Sequence, residues 1–179
     1  AYVNCSMQMA NTDIGLIAAA SAILLAFALK DMQRQIIPNK WIMIAAPLAA
    51  MASIFWSEAL RQPIFYFEQY DRVFSVAIDA LLAQNLAYAF IFLLAKLTRG
   101  DIGGGDAKLA MLIGLITGVR MLVPALAIGL AAGALITYAR EKPTPLAPFL
   151  AASTIGVLLM NKRLMSVQQW QNHWQKSLL

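Results

Sequence analysis

The chain has 179 residues, of which 60% are hydrophobic and only 13% are charged. A water-soluble domain carries roughly 25% charged residues, so this composition argues against a soluble protein. The net charge of +5 comes from basic residues scattered along the chain, which favours loops facing anionic lipid over a nucleic-acid surface. The single cysteine excludes both an intrachain disulfide and a Cys-x-x-Cys zinc pair.

The apolar residues fall into blocks, and a transmembrane helix needs about 20 largely apolar residues. The blocks predict an all-α, polytopic transmembrane helix bundle of about six spans. Gly114 and Gly118 form a small-xxx-small pair in the fourth span, which favours close helix packing. Residues 1–160 are expected to form one domain, and the polar residues 161–179 an amphipathic tail at the membrane surface. The predicted spans cover residues 14–29, 41–56, 73–95, 107–119, 121–139 and 146–160.

The distribution of Lys and Arg among the predicted loops gives an orientation, because cytoplasmic loops carry an excess of both residues. The loops after spans one, three and five contain eight Lys and Arg residues, and the loops after spans two and four contain three. The first group of loops is therefore predicted to face the cytoplasm.

Two acidic residues lie at the cytoplasmic ends of predicted spans. Asp31 follows the first span, and Asp106 precedes the fourth, directly after three glycines. Two carboxyl groups a few ångströms apart cannot both be ionised and would share a proton. One then acts as a base on water while its protonated partner polarises a peptide carbonyl, as in aspartic proteases. Topology places both residues at one membrane face, but the sequence does not fix the distance between them.

Two motifs resemble those of the type IV prepilin peptidases, the GxGD family of aspartic membrane proteases. Residues 103–109, Gly-Gly-Gly-Asp-Ala-Lys-Leu, are similar to the family's GxGD element. Asp31, followed by Ile-Pro-Asn at 37–39, is similar to its first-aspartate element. The proline-containing stretch 143–150, which leads into the last span, is a third similarity. The resemblance covers about residues 14–160.

The resemblance implies a membrane-embedded aspartic endopeptidase that removes the basic leader of type IV prepilins or pilin-like proteins. Cleavage would occur at the cytoplasmic face of a bacterial inner membrane, in the service of a type IV pilus or of secretion. The expected partners are the substrate and the lipid bilayer, with no nucleic acid, cofactor or metal. Asp31 and Asp106 would be catalytic, and Asp101 and Glu141 are candidates for contacting the leader. The supporting motif residues would be Gly103, Gly104, Gly105, Lys108, Pro38 and Asn39.

The larger members of this family carry a cytoplasmic loop with paired cysteines that binds zinc, and they also methylate the new N-terminus. The loop after the first predicted span, residues 30–40, contains no cysteine. The resemblance is therefore to a short form of the family that is a peptidase alone. Methyl transfer from S-adenosylmethionine is not predicted.

Other interpretations of the same acids stay open at this point. Aspartate is a favoured helix N-cap, which would account for Asp106. Asp31 lies among basic residues, where an ordinary interfacial charge would lie. Asp79 falls inside the third span, where an acid is a functional candidate by default, and the peptidase prediction gives it no role. The alternative functions are a proton-coupled transporter and a non-catalytic scaffold of a pilus or secretion machine.

Overall fold

The computed structural model of the protein describes residues 2–34, 39–55, 72–98, 103–140 and 145–177. Every regular element in these ranges is an α-helix, which confirms the predicted all-α class. The helices are α1 (Tyr2–Arg34), α2 (Asn39–Phe55), α3 (Arg72–Leu97), α4 (Gly104–Arg140) and α5 (Ala147–Ser177).

Two of these helices contain a stretch that is long and apolar enough to cross a membrane. The stretches are Val73–Leu97 in α3 and Gly104–Ala139 in α4. The apolar part of α2, Lys40–Met51, is shorter. Many large apolar side chains on α2 and α3 are exposed, as on a surface that faces lipid rather than water. These apolar helices thus support a membrane protein. The number of six spans stays a prediction.

Helix α4 is interrupted at Gly118, whose φ of 69° and ψ of 173° are adopted almost only by glycine. Contacts made by the start of α5 show how sharply the chain turns there. A Cβ on Gly133, in the second half of α4, would lie 2.5 Å from the Leu146 side chain. The next residue, Ala147, donates its backbone N–H to the side chain of Asp106, in the first half. A straight helix would separate residues 106 and 133 by about 40 Å, so α4 folds back at Gly118.

This reversal divides α4 into two antiparallel halves, residues 104–117 and 119–140. The halves correspond in order to the separate spans predicted over 107–119 and 121–139. The side chain of Arg120 is exposed just after the turn. The reversal also brings the start of α5 next to the start of α4, which determines the composition of the site.

Helix α3 packs along the first half of α4, and the closest approach is at Gly114. A Cβ at Gly114 would lie 2.6 Å from the carbonyl oxygen of Ala83. The buried face of α3 at this contact is made of small side chains, Ala80, Ala83 and Ala87. The predicted close packing at Gly114 is therefore present, whereas Gly118 serves the chain reversal.

Helix α5 packs along the second half of α4 in the same close manner. Ser153 donates its hydroxyl to the carbonyl of Ala125 at 2.8 Å. A Cβ at Gly129 would lie 2.7 Å from the Ser153 hydroxyl oxygen. The same helix continues beyond residue 160 to Ser177, so most of the segment predicted as a polar tail is helical. Its domain boundary and its position at the membrane surface stay predictions.

The Gly114–Ala83 contact predicts that Gly114→Ala destabilises the protein. The new methyl group would meet backbone atoms of α3, which cannot rotate away, so the helices must separate. We expect the free energy of unfolding to fall by about 1–3 kcal/mol, measured as a lower Tm in detergent. Gly156→Ala is the matched control, because a Cβ there meets nothing within 4 Å and alanine favours helix. Equal Tm values for the two variants would contradict this packing.

Candidate active site

Asp106 is the third residue of α4 and is held by the first turn of its own helix. Its backbone N–H donates to the Gly103 carbonyl at 3.1 Å. In return, its carboxylate accepts a hydrogen bond from the Gly103 N–H. The second of these bonds is one half of a capping box, in which the side chain at the third helical position bonds back to the N-cap residue. Gly103 therefore takes the N-cap position, and Asp106 does not.

A second backbone donor reaches Asp106 from another helix. The N–H of Ala147, at the start of α5, donates to the same carboxylate. The side chain of Asp106 is only 7% exposed. Its Oδ1 is buried and accepts no hydrogen bond from any residue that the structure describes. Both backbone donors therefore bind Oδ2, which leaves Oδ1 as the oxygen with acceptor capacity.

Asp31 lies in the last turn of α1 and is 5% exposed. Its charge acts directly on the Asp106 carboxyl group, so the structure brings the two acids together from different helices. Burial raises the pKa of the Asp31 carboxyl, because ionisation costs more free energy away from water. Two neighbouring carboxyl groups that are both poorly solvated favour a state in which one proton is held between them.

The glycines at the start of α4 expose backbone close to the carboxyl pair. Gly104 is exposed, and a Cβ there would meet nothing within 4 Å. Gly103 is also exposed, and the closest atom to a Cβ there is Oδ2 of Asp106 at 3.8 Å. Gly105 and Lys108 are partly buried in the first turns of the helix. Among the residues that the structure describes, none covers the backbone of Gly104, which makes this turn a candidate contact for an extended peptide.

The remaining predicted motif residues are less fully defined. Asn39 is the first residue of α2, and its side chain lies outside the described atoms. Pro38, Asp101 and Glu141 lie outside the described residues. Over the described ranges, no group of three or more His, Cys, Asp or Glu residues could hold a metal ion.

Asp79 lies at the far end of the bundle from this pair. Helices α3 and α4 are antiparallel neighbours joined by a short connection, and Ala83 meets Gly114 between them. Asp79 lies one helical turn before Ala83, and Gly118 lies one turn after Gly114. Because the two helices are antiparallel, Asp79 is therefore level with Gly118. The first half of α4 separates that level from Asp106 by about 18 Å. Asp79 is 1% exposed but does not belong to the carboxyl pair.

Ala147 is a component of the site that the sequence does not indicate. Its side chain carries no reactive group, and it contributes through its backbone N–H alone. The available signal was the proline-containing stretch 143–150, because prolines before an apolar block indicate where a helix begins. The reversal of α4 determines which carboxylate this helix start contacts. That reversal could not be deduced from the spacing of residues in the sequence.

Comparisons with known proteins identify the family of this chain. Residues 18–138 match the type IV leader peptidase family, and this range contains both aspartates. The chain is also 29% identical over 153 residues to a protein of Bacillus subtilis (strain 168) named "Prepilin leader peptidase/N-methyltransferase". That match covers 81% of this chain and 55% of the relative, so the chain spans about half of the relative's length. No solved structure matches the chain. On the extent of the family match, the chain belongs to the type IV leader peptidase family.

Proposed function

We propose that this protein is a membrane-embedded aspartic endopeptidase that removes the leader peptide from type IV prepilins or pilin-like proteins. The observation that carries the proposal is the pair of buried carboxyl groups, Asp31 and Asp106, which interact across two helices. The family match supports a peptidase. This pair of carboxyl groups would make it an aspartic peptidase.

The proposed reaction uses the pair as one acid and one base. The ionised carboxylate removes a proton from a water molecule, whose oxygen attacks the scissile carbonyl carbon. The protonated partner donates a hydrogen bond to the carbonyl oxygen and stabilises the negative charge that develops there. Collapse of the tetrahedral intermediate breaks the C–N bond, and the leaving amine takes up a proton from the pair. The unoccupied acceptor capacity at Oδ1 of Asp106 suits it to one of these transfers.

The location of the pair suits a substrate that lies partly in the membrane. Asp31 ends one apolar helix and Asp106 begins another, so both lie near a membrane boundary. The excess of Lys and Arg in the adjoining loops supports the proposal that this boundary is the cytoplasmic face of a bacterial inner membrane. We propose that the basic leader lies along the exposed backbone of Gly103 and Gly104. Asp101 and Glu141, which the sequence assigns to cytoplasmic loops, are the candidates for contacting its positive charges.

The alternative functions have less support. A proton relay through the bundle would need acids along a path, yet Asp79 lies about 18 Å from the carboxyl pair. A passive scaffold gives no reason to bury two interacting acids, because buried like charges destabilise a fold. The relative's name also includes an N-methyltransferase. For this chain we propose the cleavage reaction alone.

The proposal predicts that Asp31→Asn and Asp106→Asn each abolish cleavage of a prepilin in isolated membranes. Either amide removes the shared proton and one of the two roles, so a loss of at least about a thousandfold in rate is expected. Asp79→Asn is the matched control, since it changes another buried aspartate that lies outside the pair. Cleavage is followed on gels at equal levels of folded enzyme. Retention of cleavage activity in both pair variants would contradict the proposal. Loss of cleavage activity in Asp79→Asn alone would also contradict it.

A second prediction concerns stability as a function of pH. Because the pKa of Asp31 is raised, the folded protein holds this proton more tightly than the unfolded chain does. The wild-type fold is therefore favoured at low pH, and that advantage disappears as pH rises through the raised pKa. The asparagine variant lacks this dependence, so its gain in stability over wild type should grow with pH.

This gain is measured from the Tm of Asp31→Asn and wild type in detergent at about pH 4 and about pH 8. We expect little difference at the lower pH and a gain on the order of 0.5–2 kcal/mol at the higher one. The Tm of Asp79→Asn is measured under the same conditions. This control separates the effect of removing the Asp31 carboxyl group from the effect of removing another buried acid. A stability loss in Asp31→Asn at both pH values would show that the Asp31 carboxylate stabilises the fold.

A further inference from the structure

We infer that the first turn of α5 is a third component of the catalytic site, and that Ala147 is a positioning residue for Asp106. The inference rests on the proposed function, because it assigns a task to a group that contacts a proposed catalytic carboxylate. It is carried by one contact, the hydrogen bond from the Ala147 N–H to the Asp106 side chain.

Ala147 has a free N–H because of its position in the helix. The first backbone N–H groups of a helix have no carbonyl partner within it. The Leu146 carbonyl accepts hydrogen bonds from the N–H groups of Phe149 and Leu150, both at 3.1 Å. Leu146 is therefore the N-cap residue, and Ala147 is the first residue of the helix. Its N–H has no acceptor within α5 and donates a hydrogen bond to the Asp106 carboxylate.

The surroundings of this donor strengthen its effect on a carboxylate. Ala147 is fully buried, so water does not compete for its N–H. The N-terminal end of a helix also carries a partial positive charge that stabilises a nearby anion. Asp31 on α1 is the titratable group that faces the same carboxylate and opposes its ionisation. The start of α5 therefore counteracts the repulsion within the pair.

Packing against the second half of α4 fixes the position of the donor. Leu146 lies against Gly133 in the second half of α4. Further along α5, Ser153 is bonded to the Ala125 carbonyl in that same half. Asp106 belongs to the first half, so the folded-back shape of α4 sets the distance between donor and acceptor.

The two backbone donors on Asp106 differ in what they can do. The Gly103 N–H belongs to the same turn as Asp106 and moves with it. The Ala147 N–H comes from a separate helix and therefore fixes the carboxyl group relative to the rest of the bundle. With Oδ2 held in this way, Oδ1 stays oriented for proton transfer. Loss of this donor should impair the chemical step more than substrate binding.

The test removes the donor alone, by replacing Ala147 with L-lactic acid in the full-length enzyme. The resulting ester keeps the methyl group and the shape of the backbone but has an oxygen in place of the N–H. We expect kcat to fall about tenfold with little change in KM, because the contact acts through Asp106. The pH–rate profile should move to higher pH by about one unit, since the ionised pair has lost a donor.

The matched control is the same ester replacement at Ala151, one turn further along α5. In both variants the carbonyl made weaker by the ester belongs to a leucine that accepts at least two hydrogen bonds. Leu150 accepts from the hydroxyls of Ser153 and Thr154, as Leu146 does from two backbone N–H groups. The Ala151 ester should keep the wild-type kcat and pH profile, with at most a lower Tm.

Three outcomes would overturn the inference: an unchanged kcat and pH profile in the Ala147 ester, equal losses in both esters, or a rise in KM alone. Asp106→Asn is assayed alongside to separate this inference from the proposed function. Inactive Asp106→Asn together with a fully active Ala147 ester would reject the role of α5 and leave the aspartic mechanism in place. Active Asp106→Asn would reject the mechanism itself.

Discussion

Repulsion between two carboxyl groups with little access to water is the constraint on which the rest of this structure depends. Asp31 and Asp106 are 5% and 7% exposed, and the charge of Asp31 acts on the Asp106 carboxyl group. A fold gains no stability from such a pair, so other contacts must hold it together. Two backbone N–H groups on one carboxylate and close helix packing supply those contacts. Buried acids kept near each other at a cost in stability are typical of catalytic sites.

The helices around the pair are held in place by contacts that only small residues permit. Gly114 lets α3 approach the first half of α4, and Gly129 lets α5 approach the second half. Gly118 takes a backbone conformation that lets the chain reverse between these halves. In a bilayer, helices gain little from burying apolar surface against each other, so close backbone packing is a principal source of stability. The same contacts place the start of α5 beside the start of α4.

The sequence predicted those features that depend on local composition or on a motif. Apolar blocks indicated helices, and the two aspartate motifs indicated the residues that meet at the site. The break at Gly118 falls near the boundary between two predicted spans. The sequence predicts a packing role for this glycine, because spacing alone cannot distinguish packing from a chain reversal. Ala147 was not identified, since a backbone donor has no sequence signature. The far position of Asp79 likewise required the pairing of α3 with α4, which is a tertiary property.

The most direct test of this account is a site-resolved titration of the Asp31 carboxyl group by ¹³C NMR in detergent. It is performed on the wild type and on Asp106→Asn, with Asp79→Asn as the control. If the pair holds one proton between its members, replacement of Asp106 will change the titration curve of Asp31, and replacement of Asp79 will leave it unchanged. Superimposable Asp31 curves in the wild type and Asp106→Asn would contradict the account, because the two acids would then titrate independently.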